Sequence, residues 1–319
     1  MGRIVTIDCQ YIFPKFAAAY LLIDDGKAAF IDNNTAHSVP LLLQALKEQG
    51  LKPEQVEYVI ITHVHLDHAG GTSQLMAACP NATLLTHPRA ARHMIDPSKL
   101  VASARIVYGN ETFDKLYGRI EPIDEKRVRV MQDGEDLALG SSKLHFFHTR
   151  GHANHHMCIV DQASNSVFTG DSFGLAYPAL QTHGLFIFPT TSPTDFDPKE
   201  AKLSVQRIVD TGALNAYPTH FGVVEDLPGA SKQLLAELDF SEELLNRAQQ
   251  RVGTVEELTE YCKSEIYPHF NYLLERHGIS TAPETWKLLK LDLDINAAGI
   301  AYVAHKRREE TKKSKGESS

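Results

Sequence analysis

Cysteine is scarce in this chain. Its four residues, Cys9, Cys79, Cys158 and Cys262, lie far apart and form no C-x-x-C pair. That excludes a disulfide framework or a thiolate zinc knuckle and fits a reducing compartment. Also missing are a basic start followed by about 7–15 apolar residues and any run approaching about 18 uninterrupted apolar residues. Neither a secretory leader nor a membrane span is read, so a cytoplasmic protein without a membrane partner is expected. Positive charge is in deficit as well: 32 Lys and Arg stand against 40 Asp and Glu, a net charge of -8. The last fourteen residues, from Lys306, run the other way with six basic and three acidic residues, which leaves the body more acidic still. Such a body offers no cationic footprint for a phosphate backbone, so a small-molecule substrate is expected rather than nucleic acid.

What is present is an ordinary globular composition, 43% hydrophobic and 23% charged over 319 residues. The length exceeds the roughly 100–200 residues of one typical domain. Tyr20 to Ile23 and Ala28 to Ile31, split by Asp24-Asp25-Gly26-Lys27, predict a strand, turn and strand. Ser38 is placed as the cap of a helix whose face carries Leu41, Leu42, Ala45 and Leu46, stopped by Gly50. Val56 to Ile61 predicts a buried strand, residues 72–78 a helix and Asn81 to Thr86 a strand. Residues 88–123 read as mostly helical without a clear period. Short strands are predicted at Val128 to Met131, Leu137 to Leu139, Leu144 to Phe147, Met157 to Val160 and Val167 to Thr169. A helix from Asp197-Pro198 to Gly212 and a strand from Leu214 to Tyr217 follow. Beyond Gly229 the pattern turns to amphipathic helices, with capping boxes at Thr254/Glu257 and Thr281/Glu284. The expected organisation is a domain over 1–228, a helical region over 229–305 and a basic, disordered tail over 306–319.

His63, His65, Asp67 and His68 fall within six residues directly after a buried strand. Imidazoles and carboxylates crowded at a strand end cannot all be desolvated cheaply, and a divalent cation is the economical partner for their lone pairs. Three more strands end the same way: Leu144 to Phe147 leads to His152, Val167 to Thr169 to Asp171, and Leu214 to Tyr217 to His220. Strands pointing one way gather their carboxyl ends along one edge, so four such ends converge on one cleft. Five histidines and two aspartates exceed the three protein ligands of one hydrolytic zinc. Two ions, about 3.5–4 Å apart and sharing an aspartate and a hydroxide, account for all seven. Zinc or iron suits these donors, and manganese is admitted.

With these motifs the chain resembles the metallo-β-lactamase superfamily, and within it the hydrolases similar to glyoxalase II. H-x-H-x-D-H is met by His63, His65, Asp67 and His68, T-x-G-H by Thr149, Gly151 and His152, F-T-G-D by Phe168 to Asp171, and the late histidine by His220. The likeness covers about residues 4–225. It implies an α+β fold, an αββα four-layer sandwich with a C-terminal helical appendage. It further implies that His63, His65 and His152 hold one metal, that Asp67, His68 and His220 hold the other, and that Asp171 bridges. Asp67 is then also the catalytic residue that orients the attacking hydroxide. The expected enzyme is a metal-dependent hydrolase of an ester, thioester or lactone.

Two departures stand out: Arg150 replaces a proline common in relatives, and His155 replaces a glycine ahead of His156. A guanidinium beside the metals would meet an anionic substrate group bidentately, or else form a surface ion pair. Tyr177, His183, Phe186 and Phe188 fall where relatives line the substrate mouth, and Tyr267 and His269 fall in the appendage. Of these, Arg150, Tyr177, His183, Tyr267 and His269 are the candidate substrate-binding residues. The appendage reads either as a lid over the cleft or as the contact of a homodimer. Competing functions are a phosphodiesterase on a nucleotide-like substrate, a diiron oxygen-binding protein, in which glutamate usually stands where His65 does, and a regulatory protein.

Overall fold

The structure is a computed structural model describing residues 2–191, 194–314 and 316. Its first sheet is built from β1 (Arg3–Asp8), β2 (Ala18–Asp24), β3 (Lys27–Ile31), β4 (Val56–Ile60), β5 (Thr83–Thr86) and β6 (Val128–Val130), hydrogen-bonded in chain order. The first three strands pair antiparallel and β3 to β6 pair parallel. Helices α1 (Val39–Glu48), α2 (Leu66–Ala69), α3 (Thr72–Ala78), α4 (Pro88–Ile95), α5 (Ser98–Tyr108) and α6 (Asn110–Tyr117) fill the connections. The second sheet holds β7 (Asp136–Leu139), β8 (Ser142–His148), β9 (Met157–Asp161), β10 (Ser166–Gly170) and β11 (Asn215–Pro218), with α7 (Pro198–Val209) before its last strand. Helices α8 (Leu227–Gln249), α9 (Val255–Arg276) and α10 (Pro283–Ser314) complete the chain.

The period-two alternation of the strands sorts side chains into three cores. On β2, Ala19 and Leu21 pack outward with Leu42, Leu46 and Leu75 of α1 and α3, whereas Tyr20 and Leu22 point to the other sheet. There they share a core with Phe146, Ile159 and Phe168, rings and chains whose burial contributes about 1.5–3 kcal/mol each. The opposite face of β9, Cys158 and Val160, joins α7 and the C-terminal helices. The layers therefore run helices, sheet, sheet, helices, as the expected αββα sandwich does. Cys158 is the buried small hydrophobe its strand position suggests.

Several expectations need correction. The strand Arg3–Asp8 is not among the predicted ones, because its edge position leaves only Ile7 buried and its sequence carries no apolar run. Ser38 stands at the cap position of α1 but makes no cap bond; its hydroxyl donates instead to the Cys9 carbonyl and to Asn34 Oδ1. The Thr254/Glu257 capping box forms, but α10 begins at Pro283, past the Thr281 expected to cap it. The segment from 306, expected to be a disordered tail, continues α10 through Ser314, and residues 315 and 317–319 lie outside the described ones. Buried Val303 and Ala304 pack the helix just ahead of this segment, and within it Arg308 donates to the carbonyls of Arg251 and Gly253. The apolar faces of α8, α9 and α10 are consumed in one core with Val205, Ile208 and Phe188, so the appendage is continuous with the sandwich.

Candidate metal centre

Because β8 and β10 both pair antiparallel with β9, and β11 parallel with β10, all three run the same way and end at one edge. β4 of the facing sheet ends against them. Two backbone bonds tie the sheets at that edge: Met157 N–H donates to the Thr62 carbonyl at 2.9 Å, and Ala18 N–H to the Thr219 carbonyl at 2.8 Å. The segments that follow carry His63 and His65 in the loop after β4, Asp67 and His68 on the adjoining α2, His152 after β8, Asp171 after β10 and His220 after β11.

The donor atoms form two sets. One atom each from His63, His65, His152 and Asp171 lie within 4.8 Å of one another, and so do atoms of Asp67, His68 and His220. Asp171 joins them: its Oδ2 is 3.3 Å from His152 Nε2, while Oδ1 is 3.3 Å from His68 Nε2 and 3.8 Å from His220 Nε2. Asp67 Oδ2 is 3.4 Å from His220 Nε2 and 3.8 Å from His68 Nε2. His65 approaches with Nδ1, 3.1 Å from His152 Nε2.

Whether these groups suit cations is decided by their unused lone pairs. Among the described residues buried His63 Nε2 has no hydrogen-bond partner, and buried His68 Nε2 and Asp171 Oδ1 make no hydrogen bond but face each other as an ion pair at 3.3 Å, an arrangement that costs several kcal/mol unless a cation fills it (about 1–3 kcal/mol per group). The other ring nitrogens are taken: His63 Nδ1 by Thr62 Oγ1 at 3.1 Å, His68 Nδ1 by Asp32 Oδ2 at 2.9 Å, and His220 Nδ1 by the Phe16 carbonyl at 2.9 Å. Each bond fixes a ring and directs Nε2 inward, the usual arrangement around metal-ligating imidazoles. The donor set fits two divalent ions.

Without ions the charges settle among themselves. Burial pushes His63 well below the usual imidazole range and His65 down to about 4. His68 goes the other way: burial opposes its charge, but Asp171, Asp67 and Asp32 override it and hold it well above. The same contest takes His220 up to about 9 through Asp171 and Asp67. Burial resists ionisation of Asp67 and Asp171, yet the neighbouring imidazoles hold both below the ordinary carboxylate range. Protons on His68 and His220 thus stand in for cations and are released when ions enter.

Glycine is required at the His152 turn. Gly151 has φ of +105°, and a Cβ there would stand 2.1 Å from Ala201 N. The close approach lets the turn seat against α7, where Asp197 N–H donates to the Gly151 carbonyl and Ser204 Oγ to that of Arg150. Gly151→Ala is expected to cost about 2–4 kcal/mol by overpacking and backbone strain, read as a lowered midpoint in denaturant unfolding. Asp171 is set by His156, whose Nε2 accepts its N–H at 3.2 Å, while Nδ1 bonds Thr149 Oγ1 at 2.7 Å.

The sequence reading missed Asp32. This carboxylate is fully buried at the end of β3 and gathers His68 Nδ1, Thr219 Oγ1 at 2.7 Å, and both N–H and Oγ1 of Thr62. A signal existed, since Ile31-Asp32 repeats the pattern of an acidic residue closing an apolar strand, but without a histidine beside it.

The expected substrate residues scatter. Tyr177 lies beside the centre, buried, its ring stacked on Phe16 at 4.9 Å and 6.4 Å from the His220 ring. Its hydroxyl donates to Asp292 Oδ2 of α10 at 3.0 Å, and burial raises the Asp292 carboxyl to about 7. His183 is exposed against Gly278. Tyr267 donates to Asp294 and stacks on Trp286, and His269 pairs with Glu237 and stacks on Phe240. These three are engaged with the helical region rather than with the ligands. Arg150 lies on the rim, exposed, with its guanidinium in no ion pair among the described residues. His155 sits over the first donor set, its ring 5.7 Å from His65 and 6.1 Å from His63.

Residues 12–220 match the model of the metallo-beta-lactamase superfamily. The metallo-beta-lactamase fold-containing protein ST1585 of Sulfurisphaera tokodaii is 26% identical over 216 residues, 66% of this chain and 75% of its own length. The atrochrysone carboxyl ACP thioesterase of Claviceps purpurea is 26% identical over 220 residues, 66% of this chain and 54% of its own. The lactamase-like protein adaB of Aspergillus niger is 23% identical, over 67% of this chain and 50% of its own. The chain thus spans about half the length of these two fungal relatives. In structure it superposes on the metallo-beta-lactamase family protein TTHA1429 of Thermus thermophilus with a TM-score of 0.66 and 21% identity, covering 97% and 94% of the two chains. On ST1585 the TM-score is 0.64, covering 93% and 97%. A family match across most of the sandwich and seven donors in two joined sets agree, and the chain belongs to the metallo-beta-lactamase superfamily, with a C-terminal helical extension.

Proposed function

We propose that the chain is a dinuclear-metal hydrolase that cleaves an ester, thioester or lactone of a small molecule. The observation that carries this reading is the carboxylate of Asp171 set between two donor sets, with buried His63 Nε2 in one and His68 Nε2 in the other making no hydrogen bond among the described residues. His63, His65 and His152 would hold one ion, Asp67, His68 and His220 the other, with Asp171 common to both. Two divalent ions there would supply Lewis acidity and lower the pKa of water towards neutrality.

The chain's own residues do the positioning. Asp67, kept ionised and 29% exposed in its side chain, is the carboxylate that opens to the cleft and accepts a proton's hydrogen bond from attacking water. Tyr177 is buried beside His220 with its hydroxyl spent on Asp292, so it supports the centre from beneath rather than offering the substrate a free donor. No serine nucleophile is needed: Ser172 is buried and bonded to Thr149 Oγ1 and His156 Nδ1. The similarity to a thioesterase supports acyl transfer to water as the reaction class.

Purified protein carrying about two zinc or iron ions per chain should hydrolyse simple aryl esters, acyl thioesters or lactones and lose that activity on chelation. A fully loaded protein that cleaves none of them would overturn the proposal. Faster cleavage of bis-p-nitrophenyl phosphate would turn it into a phosphodiesterase.

A further inference from the structure

Beside the metal centre lies an open groove of ≈ 580 Å³, lined by Arg89 and His87 where β5 runs into α4, by His148 at the end of β8 and Arg150 just past it, and by Glu200 and Arg207 of α7. Arg207 is committed, to Asp133 at 2.7 Å and to the His148 carbonyl at 2.8 Å. Arg89 and Arg150 form no ion pair among the described residues. His87 Nδ1 accepts the Arg89 N–H at 3.0 Å, so the neutral ring carries its proton on Nε2 as a donor. Burial above all, and then the His148 and His155 rings and the charges of Arg89 and Arg150, push His87 down to about 3, so its ring is neutral.

Arg150 is the wall residue that the groove shares with the centre's surroundings. That residue also borders a small cavity walled by the donors His152 and Asp171, and it is separated from His152 by Gly151 alone. Asn154, on the groove wall, precedes His155, whose ring faces His65.

We infer that this groove binds the phosphate-bearing tail of the substrate, an acyl thioester of a phosphorylated thiol, and that Arg89 and Arg150 determine that specificity. The inference rests on the hydrolase reading and names its substrate class. Two guanidiniums, Arg89 in the first turn of α4 and Arg150 past the end of β8, with the His87 imidazole donor on the same groove wall, suit the several oxygens of a phosphate ester; one arginine suffices for a carboxylate. The volume falls within the roughly 300–1,000 Å³ of small-molecule sites, room for a tail of nucleotide size. Glu200, the carboxylate on this rim without an ion pair among the described residues, opposes the anion and sets how tightly it is held.

The test compares acetyl thioesters of N-acetylcysteamine, phosphopantetheine and coenzyme A on the metal-loaded full chain. Expected is a kcat/KM at least about tenfold higher for the phosphate-bearing thioesters, through KM. That ratio should fall towards one in R89A/R150A and rise a few-fold in E200Q. A gain already complete with phosphopantetheine assigns the groove to its single phosphate; a gain only with coenzyme A assigns it to the nucleotide. Equal rates on all three thioesters, or an unchanged ratio in R89A/R150A, would overturn the inference. If no thioester is cleaved, the hydrolase reading has failed for this class and the groove is judged by calorimetry with adenosine 3′,5′-bisphosphate. Binding weakened about tenfold in R89A/R150A upholds an organic-phosphate site, and equal or absent binding in both proteins removes it.

Discussion

Asp171→Asn should strip the protein of its metal and reduce hydrolysis by about 10³-fold or more while leaving the fold intact. Asp171 is the one carboxylate whose two oxygens reach both donor sets, 3.3 Å from His152 Nε2 on one side and 3.3 Å from His68 Nε2 on the other. The amide has nearly the same shape, so packing is preserved. It carries no charge, however, and turns an N–H₂ group towards one of the sets. Two cations close together then lack the anion that screens their repulsion. The expected signature is a thermal midpoint that no longer rises when zinc is added, together with fewer than about one ion per chain after desalting. A variant that still bound two ions would show that the sets are filled independently and that the proposed sharing is wrong.

The second large effect belongs to a residue that would touch no ion. Asp32→Ala removes the acceptor of His68 Nδ1, of Thr219 Oγ1 and of the Thr62 N–H and hydroxyl, all buried. Leaving such groups unpaired is expected to cost about 3–5 kcal/mol in denaturant unfolding. Its backbone sits at φ of +54°, which alanine tolerates poorly and asparagine well. Asp32→Asn therefore separates the contributions. It should fold more stably than the alanine variant, yet hold metal at the His68 set about 10–100-fold more weakly, because the amide keeps one acceptor oxygen of two and loses the charge that makes that imidazole a better ligand. Chelator competition measures the second quantity. Equal metal affinity in Asp32→Asn and the unaltered protein would reduce Asp32 to a structural tie.

All seven donors were legible in the sequence because metal chemistry imposes dense, unusual residue types on strand ends, where a solvated or packed side chain has no reason to cluster. The αββα sandwich was legible only through the family likeness those motifs carry, and the alternation of β2 and β9 between cores agrees with it. Asp32 escaped because a lone aspartate after a strand also reads as an ordinary turn residue. The substrate residues were the least legible. Tyr267 and His269 sit on helical faces whose partners, Asp294 and Glu237, are fixed by how α8, α9 and α10 pack, which local periodicity does not encode. His183 follows only from analogy of position and lies out on the surface. The α10 extension reads as a tail from its charges, although Arg308 anchors it and buried Val303 and Ala304 pack the helix just ahead of it.

The most direct test is elemental analysis of protein purified without chelators, combined with the same analysis of His220→Ala and His63→Ala. Four turns gathered into one dinuclear centre predict about two divalent ions per chain in the unaltered protein and about one in each variant, drawn from opposite sides. Less than one ion in the unaltered protein, or variants that lose nothing, would contradict it.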